Sequence, residues 1–292
     1  MHGAGWSIPW LGGYLGRVMR FVELSDHPGE MLQAVHDQRR TAGEQDRSRY
    51  AEALARHRAR VTEARARRDK ARAQRRWWAW LRGIVSVWNE KRRAPRPPVV
   101  QRAPADQEEI LAAGMAGEQM VANELGQVLG DDWVLMRGYR NRCGEIDHLL
   151  LGPGGVFAIE VKHRNATVYI NGDDWRFDKY DRYGNMVDQG RITDRRGRSP
   201  SMQVNESADE LEKFLRSRHQ PVAIQRIVIL THPRSALGGH RNLTVHVATS
   251  TDVIIGLLTR SAPTLQAGQL TELERLIERD HHYHEARRQR RG

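Results

Sequence analysis

The sequence predicts an α/β fold, on three observations. Over residues 107–260 the local patterns run in the order helix, strands, helix, strand. The strand candidates are short apolar runs, and two of them are joined by a Gly-Pro-Gly-Gly turn at 152–155. The helix candidates carry apolar residues at alternating spacings of three and four. A chain of 292 residues buries one sizeable core and leaves length for appendages.

Residues 1–30 are apolar and glycine-rich, but Pro9 and the glycines break them and Arg17 and Arg20 sit inside the apolar part. That is a poor secretory signal. The single cysteine, Cys143, precludes an internal disulfide, so a cytoplasmic location is expected. No apolar run is long enough to span a bilayer. Residues 31–94 hold 18 Lys and Arg against 7 Asp and Glu, an excess equal to the net charge of +11 of the whole chain. They read as a basic helical arm that attracts phosphate, with a thin line of Tyr50, Leu54, His57, Val61 and Ala64 too weak to specify a coiled coil. Its end, residues 77–88, holds Trp77, Trp78, Trp80 and Trp88 in a run suited to a membrane interface or to docking on the main domain. A Pro-rich linker follows at 95–106.

The main domain is expected at 107–260. Asp106 and Glu109 form a capping-box-like start to a helix reaching about Leu129. Strands are expected at 133–137, 145–151, 156–163, 167–170 and 175–180, then a polar loop over 181–198. Ser199 and Pro200 read as the cap and first residue of a second helix, with Val204, Ala208, Leu211 and Leu215 as its core line. Strands at 225–230 and 244–248 and a helix near Thr251 close the domain, and 261–292 reads as a helical tail whose His281, His282, Tyr283 and His284 form a solvated end.

Folding 145–162 about its turn sets Leu149 opposite Ala158, Asp147 opposite Glu160 and Glu145 opposite Lys162. All four charged residues then share one face, while Ile146, His148, Leu150, Phe157, Ile159 and Val161 occupy the buried face. Facing carboxylates destabilise a ladder, and a hard divalent cation such as Mg²⁺ relieves them. On the first helix, Leu111, Met115, Glu118, Ala122, Leu125 and Leu129 form one stripe, which places Glu118 against the sheet where it needs a partner. Gly114 and Gly117 permit close approach there.

The motifs AGEQMVANEL, CGEIDHLLLGPGGVFAIEVKHR and SPSMQ together resemble the nuclease-related domain, NERD, a branch of the PD-(D/E)xK nuclease superfamily, over roughly 112–230. The resemblance implies a restriction-endonuclease-like core, a four-stranded mixed β-sheet flanked by helices, here with an N-terminal basic helical extension. It implies Mg²⁺- or Mn²⁺-dependent phosphodiester hydrolysis, with DNA the expected substrate. Asp147, Glu160 and the carbonyl of Val161 would ligate the metal, and Lys162 would orient water or stabilise charge. Glu118 would be a further acid ligand and Gln203 a site residue. Residues 107–260 carry 19 bases and 20 acids, so the arm is expected to supply much of any nucleic-acid affinity. The alternative reading keeps this fold as an inactive nucleic-acid-binding or membrane-surface module.

Overall fold

The strand Gly155–Lys162 is buried along all but its last residue, which demands neighbours on both edges and cover on both faces. The computed structural model supplies them, and describes residues 18–97, 105–260 and 262–290, with backbone alone at 27, 28 and 105–107. The expected N-terminal segment up to residue 17, most of the linker and the side chain of the expected Asp106 cap lie outside that set. In chain order the elements are β1 (Arg20–Glu23), α1 (His27–Ala73), α2 (Trp77–Arg92), α3 (Ala105–Val128), β2 (Val134–Arg140), β3 (Glu145–Gly152), β4 (Gly155–Lys162) and β5 (Thr167–Asn171). They continue with β6 (Asp174–Tyr180), β7 (Met186–Arg191), α4 (Pro200–Ser217), β8 (Ile224–Leu230), β9 (Ala236–Arg241), β10 (His246–Ala248), α5 (Thr251–Arg260) and α6 (Ala267–Gln289).

The main sheet is mixed and six-stranded, in the order β1-β2-β3-β4-β8-β10, rather than four-stranded. The two added edges are short strands that pair parallel to β2 and β8. A second sheet, β7-β6-β5-β9, adjoins it, and β7 lies within the stretch expected as a loop. One face of the main sheet packs Leu135, Leu150, Phe157, Ile159 and Ile227 against Val121, Ala122 and Leu125 of α3 and Ile254 and Leu258 of α5. The other packs Leu149, Leu151, Val156 and Ala158 against the expected α4 line of Val204, Ala208, Leu211 and Leu215, and against Leu273, Leu276 and Ile277 of α6. Ser199 caps α4 by accepting from the Met202 N–H, with Pro200 following. This is an α/β architecture with mixed sheets flanked by helices.

Ile146 departs from the expected face and packs with Tyr139 on the α4 side. Gly138, at φ +69°, turns β2 just before Tyr139 and lies so close to the Ser25 carbonyl that a Cβ would meet its oxygen at 2.2 Å. The paired stretch of β3 follows that turn. On α3, a Cβ at Gly117 would meet Thr231 Oγ1 at 2.7 Å and His163 Cβ at 3.0 Å, whereas one at Gly114 would meet nothing. Of these two glycines, Gly117 is therefore the one that sets the close approach of this helix.

The arm, Glu30–Glu109, is a separate compact unit. It is a helical hairpin: α1 ends at a turn where Arg75 adopts φ 55°, and α2 runs back along it. The inner line of α1 continues the expected one strictly, through Tyr50, Leu54, His57, Val61, Ala64, Arg68 and Ala71. Trp80, Gly83, Val87 and Glu90 of α2 face it, with the Gly83 backbone against the Arg68 stem and Glu90 paired with Arg60 at 3.4 Å.

Gly117→Ala is expected to cost about 1–3 kcal/mol of stability by overpacking. Gly114→Ala is expected to gain roughly 0.5–1 kcal/mol from helix propensity alone. Urea unfolding of the two variants measures both, and equal effects would contradict the packing assigned to Gly117.

Candidate active site

The β3–β4 ladder keeps the register its turn dictates from Gly152↔Gly155 to His148↔Ile159, and ends there. β4 continues on β8 as far as Lys162↔Leu230. One step past the last β3–β4 pair, the Val161 N–H donates to Asp147 Oδ2 at 2.7 Å. A carboxylate thus takes the place of a backbone acceptor, and the two strands part at the position where Asp147 and Glu160 were expected to oppose each other.

Three acids and one lysine gather at this opening. Glu160 is buried and its Oε1 accepts from Lys162 Nζ at 2.5 Å. Burial pushes the Asp147 carboxyl well above its ordinary range, and the Glu160 and Glu118 charges push it further. Burial also raises Glu118, to about 7; Arg137 opposes the shift in part, while Glu145 and Glu160 add to it. Burial works against the Lys162 ammonium, yet Glu160 and Asp147 outweigh it and hold that pKa above its usual value. Lysine is therefore the fixed cation of the group. It leaves the three acids with an uncompensated charge of about −2 when all are ionised.

Glu118 is brought here by α3. His148 Nε2 lies 3.1 Å from the Glu118 carbonyl oxygen, an atom that only accepts, so Nε2 carries the proton. Burial holds the His148 pKa down to about 4 and the ring neutral. Glu145 does not face Lys162: beyond the turn at Gly138 it pairs with Arg140, its partner across β2 and β3.

A cleft of about 980 Å³ opens over the group, and Asp147, Glu160, Lys162 and Gln203 line it. Gln203 donates from Nε2 to the Arg198 carbonyl at 3.0 Å, which fixes its amide at the start of α4. Glu118 and Val161 are not among the lining residues. Six arginines also line the cleft: Arg140, Arg142, Arg196, Arg198, Arg287 and Arg288. Arg196 and Arg198 both donate to the Cys143 carbonyl, at 3.0 and 2.8 Å, and so tie down the loop between β2 and β3.

Arg287, Arg288 and His284 come from α6, which the sequence reading treated as a solvated tail. Tyr139 Oη donates to Asp280 Oδ2 at 2.6 Å, and the Arg140 N–H donates to His281 Nδ1 at 3.1 Å. His281 is 1% exposed. The signal available in the sequence was the line Leu273, Leu276, Ile277, Asp280, whose apolar part marks a packed helix.

Residues 113–231 match the family model of the nuclease-related domain. Residues 113–231, about two fifths of the chain, are thus similar to that domain. No curated protein and no solved structure matches it. The match runs from within α3 to the residue after β8, and so contains the acids, Lys162 and Gln203 but not the α6 wall of the cleft. Its mixed sheet between helices is consistent with the PD-(D/E)xK superfamily.

Among the described residues no three Asp, Glu, His or Cys side chains converge tightly enough to enclose a metal ion alone. The carboxylates that line the opening beside Lys162 are Asp147 and Glu160, with Glu118 close behind them. Such a set suits a hard cation that keeps several waters, and not a closed four-ligand zinc site.

The raised pKa of Glu118 fixes the sign of a pH effect. The unfolded chain loses this proton near pH 4.5 and the folded chain near 7, so stability from this group is present below 4.5 and is lost as pH rises to 7. Glu118→Gln removes the loss. In EDTA the variant is expected to gain on the parent by on the order of 2–3 kcal/mol between pH 4.5 and 8. Denaturant unfolding at both pH values measures this, and a pH-independent difference would contradict it.

Proposed function

We propose that this protein is a metal-dependent nuclease that hydrolyses phosphodiester bonds in DNA. The observation that carries the reading is the gathering of the Glu118, Asp147 and Glu160 carboxyls around Lys162 at the parted end of β3 and β4, beneath a cleft that six arginines help to line. Asp147 and Glu160, with the backbone carbonyl of Val161, would hold Mg²⁺ or Mn²⁺, and Glu118 would support the same ion or a second one. Bound there, the ion would polarise a phosphoryl oxygen and make water more nucleophilic.

The protein's own groups have separable tasks. Lys162 is held as ammonium, so it stabilises negative charge developing on the phosphate and does not act as the base. The incoming water forms a bond to phosphorus and gives up a proton to solvent or to a neighbouring acid, one P–O ester bond breaks, and the leaving oxygen takes up a proton from solvent to become a hydroxyl. Gln203 borders this space from the start of α4 and would orient water or phosphate. The arginine wall positions the polyanion without reading sequence. The basic field of 31–94 would add salt-dependent attraction for the same polyanion.

Plasmid and single-stranded DNA incubated with the intact protein in Mg²⁺, Mn²⁺ or EDTA test the reading. Cleavage is expected with either metal and not with EDTA, and Lys162→Ala is expected to lower its rate about 100-fold or more. Equal rates for parent and Lys162→Ala would overturn it. DNA retention that survives EDTA and Asp147→Ala without cleavage in any metal would instead identify a binding module.

A further inference from the structure

Helix α2 is apolar on two faces. Its inner line of Trp80, Gly83 and Val87 is taken up by α1. Trp77, Trp78, Leu81, Ile84, Val85 and Trp88 form a second stripe and lie exposed, Trp78 at 77% and Val85 at 57%. An apolar helix stripe is ordinarily covered, and α1 covers one of the two. We propose that an anionic lipid surface covers the other, with α2 lying in the plane of the membrane interface.

Length, composition and charge select this occupant. At 16 residues α2 is well short of the ~20 needed to cross a bilayer, and no described helix is long and apolar enough to do so. Tryptophans stand at both ends of the stripe with Leu81, Ile84 and Val85 between them, an order suited to the boundary of headgroups and acyl chains. That aliphatic centre offers bases nothing to stack on. Arg75, Arg76, Arg82, Lys91, Arg92 and Arg93 accompany the stripe, and the Arg92 guanidinium lies over the Trp88 ring at 3.7 Å. Between 74 and 93 the one acid is Glu90, which faces inward and pairs with Arg60 and Arg93. A second copy laid stripe to stripe would bring cation against cation, whereas acidic headgroups neutralise them.

Flotation of the intact chain with vesicles of phosphatidylcholine, with and without phosphatidylglycerol, tests the proposal. The chain is expected to float with the anionic vesicles, less so in high salt, and its tryptophan emission is expected to be quenched by brominated lipid. Trp78→Glu combined with Val85→Glu leaves the inner line intact, and is expected to abolish flotation while circular dichroism keeps its helix content. An intact chain that neither floats nor is quenched overturns the proposal, whatever the variant does. So does a variant that floats as well as its parent, because the basic arm alone would then explain binding. A parent dimer that the variant loses, with no flotation of either, assigns the stripe to a second copy. Loss of DNA retention in the variant with flotation unchanged assigns it to nucleic acid; both outcomes overturn the proposal.

Discussion

Everything at the site depends on where the β3–β4 ladder stops. Up to His148↔Ile159 the two strands are held by each other; beyond it β4 is held by β8 and β3 by β2. The strands part between two supported edges, so the opening is a property of the sheet and not of a flexible end. Asp147 closes the ladder with its side chain, which leaves one carboxylate oxygen committed to the Val161 N–H and the other available. Without β8 to carry β4 onward, Glu160 and Lys162 would follow β3 and the gap would not form.

Keeping acids in such a gap works against their solvation, and packing compensates. Glu160 is buried, and hydrophobic clusters on both faces of the sheet fix the strand that bears it. α3 reaches the sheet closely at Gly117, and the His148 ring joins β3 to the Glu118 carbonyl, so the third acid is delivered by a helix that cannot retreat without losing both contacts. A neutral His148 serves this joint better than a charged one, since its single Nε2–H matches a carbonyl acceptor while the buried ring carries no charge of its own.

Much of this was legible in the sequence because the determining patterns are local. The four-residue turn fixes the hairpin register, the 3-4 spacing fixes the faces of α3 and α4, and Ser199-Pro200 fixes the start of α4. What escaped the sequence reading depends on contacts between distant residues. The face of Ile146 and the Arg140–Glu145 pair follow from the turn at Gly138, where the close approach is to Ser25. β1 and β9 have little apolar pattern of their own and exist as strands because β2 and β5 pair with them. The C-terminal helix reads as polar, yet Asp280 and His281 are held by Tyr139 and Arg140, some 140 positions earlier in the chain. The inner line of α1 looked weak because alanines, a histidine and an arginine stem occupy it; small residues there are what allow Trp80 and Val87 to pack closely.

The distribution of arginine separates two uses of one residue type. Around the cleft, arginines are committed to acids or carbonyls: Arg142 to Glu210, Arg198 to Asp194 and Glu206, and Arg140 to Glu145 and Glu285. Such pairs hold guanidinium planes in position without giving residues 107–260 a net positive charge, so the cleft presents oriented donors more than a long-range field. The arm does the reverse. Over 31–94 the arginines and lysines together outnumber the acids by enough to account for the whole net charge, and they stand on a hairpin of small inner residues. A long-range field concentrates polyanions or anionic surfaces but orients nothing, whereas paired arginines orient but attract weakly. Placing the two in different compact units lets attraction respond to ionic strength while the geometry around Asp147, Glu160 and Lys162 stays fixed by packing.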